Sequence, residues 1–155
     1  GGGEMKVVGL GPVTLPDYLD RPQIVFRVSE NRLVAADFHR WAEPLTGNVM
    51  RVLAENLAAQ LPPARILAYP WQKSEAPSYQ VRVEVVRFDA GPDDAVQLVG
   101  NGYVNGGQGA PRRADITVPT VIHDFEAMVR SESEALFRLS QEIADKLRRL
   151  ASGSD

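Results

Sequence analysis

The chain has 155 residues with 17 basic and 20 acidic side chains, a net charge of −3. That length can bury one ordinary core, and so mild and even a charge gives no reason to expect a nucleic-acid or anionic-membrane partner. It contains no cysteine, which excludes disulfide frameworks, thiolate zinc sites and cysteine nucleophiles, and no apolar run approaches the roughly 20 residues a membrane-spanning helix needs.

Gly1-Gly2-Gly3-Glu4 reads as a remnant or disordered start, because three glycines are costly to order and bury nothing. Residues 5–151 read as one domain and 152–155 as a disordered tail. Alternation and β-branched enrichment predict a strand over Val7–Val13, a turn at Leu15-Pro16-Asp17, and a strand over Gln23–Val28 opened by Arg21-Pro22. A reversal at Ser29-Glu30-Asn31 then leads to a strand over Arg32–Asp37, an antiparallel hairpin. Glu43-Pro44 opens a helix over Pro44–Leu61, with Leu45, Val49, Leu53, Leu57 and Leu61 recurring every fourth residue until Pro62-Pro63 stops it.

Arg65–Tyr69 is a short strand, and Tyr79–Phe88 the clearest one, with Tyr79, Val81, Val83 and Val85 on one face and Gln80, Arg82 and Glu84 on the other. Gly91-Pro92-Asp93-Asp94 turns the chain into a strand over Ala95–Val99. Next come a glycine-rich and asparagine-rich stretch across 100–109, a strand over Asp115–Val118 and a helix over Asp124–Leu150 capped by Asp124. On that helix Phe125, Val129, Leu136, Leu139, Ile143, Leu147 and Leu150 form the apolar stripe, with small Ser133 in its gap. Both helices are expected on one face of the sheet. The fold class is α/β (α+β): one two-layer domain, a mixed sheet of about six or seven strands with two helices.

Candidate chemistry is sparse. The glycine-rich segment does not suit phosphate, since no Lys-Ser or Lys-Thr follows it and a strand, not a helix, comes next; a mobile hairpin or bulged edge fits better. Gly9-Leu10-Gly11 fails as a dinucleotide fingerprint because Pro12 follows. His39 and His123 each sit beside an acid, in Asp37-Phe38-His39 and His123-Asp124, yet no GxSxG elbow or HExxH pair accompanies them. Both are read as structural residues near helix starts. The acidic pairs Glu132/Glu134 and Asp93/Asp94 are expected on solvated surfaces. No catalytic residue, metal site or cofactor is assigned. Tyr18, Phe38, Trp41 and Trp71 fall at turns or element junctions, where they cap the core or meet another chain. With Arg40 beside Trp41, these five are the interface candidates, because both residue types are enriched among binding hot spots.

GPVTLPDYLDRPQIV (Gly11–Val25), FHRWAEPL (Phe38–Leu45), RVLAENLAAQL (Arg51–Leu61) and Pro70-Trp71 together resemble the PqiC-like, or YmbA-like, ABC-type transport auxiliary lipoproteins. HDFEAMV and ALFRLSQEIA echo the family more weakly. The resemblance implies a non-catalytic periplasmic subunit, anchored by acyl chains on an N-terminal cysteine to the inner leaflet of the outer membrane. It would form a homo-oligomeric ring and dock a tunnel-forming MCE-domain partner in a lipid-transport system that supports envelope integrity. Because that cysteine is missing from this sequence, either the lipid-bearing segment has been removed, which is the preferred reading, or this member is not anchored. The family pattern also has an ordinary strand with an aromatic after Phe88, where this chain runs Gly- and Asn-rich from Leu98 to Pro111. Two alternatives stand beside this reading: a carrier that itself binds a lipid acyl chain between helices and sheet, and a hydrolase using His39 or His123.

Overall fold

In the computed structural model, residues 5–19, 23–29, 32–40, 45–104 and 111–153 are described. The elements are β1 (Val7–Thr14), β2 (Gln23–Ser29), β3 (Arg32–Arg40), α1 (Leu45–Gln60), β4 (Arg65–Ala68), β5 (Tyr79–Gly91), β6 (Ala95–Val104), β7 (Arg112–Pro119) and α2 (Phe125–Ala151). A 3-10 turn at Asp17–Leu19 stands where Leu15-Pro16-Asp17 predicts a turn, with Leu19 N donating to Pro16 O at 3.0 Å, and a second 3-10 turn covers Lys73–Glu75. The seven strands form one mixed sheet, as expected for this α+β class, with both helices packed against it.

The 13-residue β5 organises that sheet. Along one edge it pairs antiparallel with β6, which in turn pairs with β7. The other edge is shared: β1 runs parallel to its first half, from Val8 opposite Tyr79 to Thr14 opposite Glu84, and β2 meets its second half at Phe26 opposite Ala90. Beyond β1 lies β4, parallel, and beyond β2 lies β3, antiparallel, with Ser29 opposite Arg32 as the hairpin reading requires.

Alternation on β5 breaks once, and the break decides which side chains face the helices. Tyr79, Val81, Val83 and Val85 point into the helix layer. Between Val85 and Arg87 the register with β6 slips, leaving Val86 as an extra, exposed residue, a β-bulge. Beyond the bulge the phase is reversed. Phe88 and Ala90 now point inward beside Leu98 and Val96, while Asp89 points to the opposite face.

Gly100 sits opposite the bulge, where a Cβ would lie 2.8 Å from the Glu84 carbonyl oxygen, so the backbones approach too closely for any side chain. This corrects the sequence reading of the glycine run. Gly100 through Val104 are not a break after a short strand but the continuation of β6, paired with β5 throughout and, from Gly100 to Gly102, with β7 on the other side. β7 correspondingly starts at Arg112, three residues before its expected start at Asp115.

The helix layer is built from Val49, Leu53, Leu57 and Leu61 of α1 and its end, all buried, and from Met128, Leu136, Leu139, Ile143 and Leu147 of α2. At roughly 2 kcal/mol for each large apolar side chain removed from water, each row supplies on the order of 10 kcal/mol before chain entropy is counted. Gln60 Nε2 donates to Ser140 Oγ at 2.7 Å, tying the two helices together. Asp124 caps α2 as its position suggests, accepting from Ala127 N at 3.0 Å.

The stripe on α2 departs from expectation at one place. Ser133 is exposed, and the gap between Met128 and Leu136 is filled by Glu132, which the sequence places on a solvated surface but which is only 5% exposed. The error is one of phase, since Glu132 lies four residues from both Met128 and Leu136 and so shares their face. Burial, with the Asp89 charge adding to it, pushes its carboxyl pKa up to about 8, and its Oε2 has no hydrogen-bond partner.

Two outcomes follow. Because the folded-state value exceeds the ordinary 4.5, the protonated Glu132 favours folding fully below about pH 4.5, and that contribution is lost as pH rises towards 8. Glu132→Gln, which needs no proton, raises the melting temperature at pH 8 by a margin worth a few kcal/mol and leaves it nearly unchanged at pH 4.5. Gly100→Ala costs about 1–3 kcal/mol of unfolding free energy, read as a lower urea midpoint, through the clash with the Glu84 carbonyl.

Candidate partner-binding site

Asp89, on the sheet face opposite the helices, is completely buried. Its carboxylate accepts from Tyr18 OH at 2.7 Å through Oδ2, and from Arg27 Nε at 2.9 Å and Arg87 Nε at 3.3 Å through Oδ1. Tyr18 OH also accepts from the backbone N–H of Phe88 at 2.9 Å, and the Arg27 guanidinium lies 5.7 Å from the Tyr18 ring centre. Burial, reinforced by the bond to Asp89, pushes the Tyr18 phenol up to about 12, so it stays a donor at any physiological pH. Burial works against the Arg27 charge, but the Asp89 carboxylate outweighs it and raises the Arg27 pKa. One buried anion thus fastens the 3-10 turn and β2 to β5.

Trp71 holds the opposite end of the same face. Its ring covers Gly9 of β1 so closely that a Cβ there would meet Cη2 at 2.6 Å. Tyr69 meets the indole edge-on, with centroids 5.5 Å apart and planes at 87°, and is itself 48% exposed. Tyr69 N donates to Leu10 O at 2.8 Å, which extends the pairing of β1 beyond the end of β4. Two partly exposed aromatics therefore stand beside the short outer strand β4. Between these ends the face is polar: Arg82 stacks 4.3 Å from the Tyr103 ring centre, and Asn101 Nδ2 donates to Glu84 Oε1 at 3.1 Å.

Of the five interface candidates, Tyr18 and Trp71 are placed in full, at separate parts of this face. Phe38 lies within β3 and Arg40 is its last residue; their side chains are outside the described residues, as is the whole of Trp41. His39 also belongs to β3 instead of a helix start, whereas His123 immediately precedes the Asp124 cap with a φ of 70°. Among the described residues no group of three or more His, Asp and Glu side chains could hold a metal ion, and no helix is long and apolar enough to cross a membrane. Sequence reasoning missed Asp89 and its two arginines. The signal was available: an acid in the middle of Phe88-Asp89-Ala90, flanked by buried positions, needs a partner.

Residues 1–144 match the family model described as the ABC-type transport auxiliary lipoprotein component. The chain is 28% identical over 100 residues to the intermembrane transport lipoprotein PqiC of Escherichia coli K12 and, equally, of Shigella flexneri. The match covers 64% of this chain and 52% of each relative, so it spans about half the length of those curated proteins. Among solved structures, a protein titled only as uncharacterized superposes with a TM-score of 0.82 at 25% identity over 92% of both chains. A Xanthomonas campestris protein gives a TM-score of 0.70 at 16% identity over 92% of this chain and 82% of its own, a likeness of fold alone.

Removing the anion should expose its structural weight. Asp89→Ala leaves a buried phenol and two guanidinium groups without their acceptor and costs about 3–5 kcal/mol in urea unfolding, whereas Arg27→Ala costs less because Arg87 still neutralises Asp89.

Proposed function

Because the chain belongs to the family of ABC-type transport auxiliary lipoprotein components, we propose that it is a non-catalytic subunit of an envelope lipid-transport system. It acts by docking a tunnel-forming MCE-domain partner. The observation that carries this reading is the family match over residues 1–144. The relatives named as intermembrane transport lipoproteins support it. In this reading the full-length protein is held in the periplasm by a lipid anchor at the inner leaflet of the outer membrane. It closes into a ring of identical subunits, a symmetry that suits the end of a tube.

The structure offers such a role contact surface more than chemistry. The helix stripes are spent inside the molecule, leaving a largely polar sheet face with Tyr69 and Trp71 at one end. Tyr69 and Trp71 are proposed as partner contacts because exposed aromatics beside an outer strand combine apolar area with a polar tip. Tyr18, Phe38, Arg40 and Trp41 remain proposed contacts on the same reasoning from residue type.

The full-length anchored protein, used as bait in envelope extract, should retain an MCE-domain partner, and native mass spectrometry should show a discrete ring. Trp71→Ala with Tyr69→Ala should cut partner capture at least tenfold while far-ultraviolet circular dichroism shows the fold retained, even though the lost packing over Gly9 lowers the melting temperature. A chain that stays single at high concentration and extracts diacyl lipid from vesicles would overturn the docking role.

A further inference from the structure

A cavity of about 200 Å³ opens between α2 and the β5–β6–β7 part of the sheet. Val81, Val83 and Ala114 form its floor, Leu139 and Ile143 its roof, and Gly102 leaves the space between them empty. Gly102 lies on the helix-facing side of β6, in register with Val83 and Arg112. Unlike Gly100, it is not imposed by the backbone. Its φ is not in the left-handed region, and the nearest atom an added Cβ would meet is the Arg112 carbonyl oxygen at 3.9 Å. A glycine in a strand interior weakens the strand. Here its effect is to keep an apolar space open that any larger side chain would fill.

The mouth has a different chemistry. Arg112 and Lys146 border it together with Glu142, a balance of one positive charge above an apolar interior. A dry cavity of about 150 Å³ accepts a six-carbon ring such as benzene, so this one suits roughly eight carbons of a single alkyl chain. Two chains side by side do not fit. We infer that the space under α2 is a binding site for one alkyl chain bearing an anionic head group, the chain end against Leu139 and Ile143 and the head at Arg112 and Lys146. The inference goes beyond the docking role and does not depend on it, since the site lies on the helix side of the sheet and Tyr69 and Trp71 stand on the other.

Calorimetric titration of the full chain with decanoate and with decyl phosphate, below their micellar concentrations, tests it. One saturable site per chain is expected, with decyltrimethylammonium at least tenfold weaker. Gly102→Leu should fill the cavity, weaken decanoate at least tenfold and leave the melting temperature equal or higher. Ile143→Phe gives the same test from the helix side should the strand variant fail to fold. Arg112→Gln with Lys146→Gln should weaken decanoate several-fold and narrow its lead over the cation. Vesicles of phosphatidylglycerol separate the sources: binding that falls in Gly102→Leu marks a bilayer lipid chain as the occupant, and binding indifferent to Gly102 marks a free amphiphile. No saturation by decanoate, equal affinity in Gly102→Leu, or preference for the cation would overturn the site. None of these outcomes touches ring formation or partner capture.

Discussion

The phase of β5 is the constraint on which this structure turns. A 13-residue strand that alternated without interruption from Tyr79 would carry Asp89 into the apolar helix layer and turn Phe88 and Ala90 away from it. The extra residue at Val86 reverses the parity, so the apolar pair completes the core and the carboxylate reaches Tyr18, Arg27 and Arg87 instead. An ion cluster of this kind adds modestly to net stability when complete, because desolvation offsets most of the attraction. What it supplies is placement: the 3-10 turn and β2 can meet the second half of β5 in one arrangement without stranding a buried charge.

The helix side obeys a simpler rule, with aliphatic rows from two helices covering one sheet face. Two glycines share that face of β6 for opposite reasons. At Gly100 the neighbouring strand leaves no space, whereas at Gly102 an added Cβ would make only an ordinary contact, with the Arg112 carbonyl oxygen at 3.9 Å. The sheet face turned away from the helices is polar in its middle and carries aromatics towards both ends.

Much of the architecture was legible in residue order. Every helix and strand has its counterpart in the apolar pattern, because period and punctuation are local properties: Pro62-Pro63 ends α1, and Asp124 caps α2 through its own third neighbour. The misreadings concern partners distant in the chain. A glycine run looks like a loop until Glu84 and Arg112 are seen on either side of it. Glu132 looks solvated because acids usually are, and only its spacing from Met128 and Leu136 marks it as inward-facing. Asp89 was overlooked for the same reason, its three partners coming from the 3-10 turn, β2 and its own strand. Of the partner-site candidates, the placement of Trp71 over Gly9 could not be read from sequence, because nothing local announces which strand an indole will cover.

The sheet joins elements of very different chain separation. Residues from β5 through α2 are sequential neighbours, and each strand pairs with the next, so this half can assemble through short loops. β1 has no such neighbour: among the described residues its partners are β4 and β5, both far later in the chain. The opening strand must therefore wait, extended and apolar, until the later half has offered it an edge. Until that edge exists, Val8, Leu10 and Val13 have no sheet on which to bury their side chains.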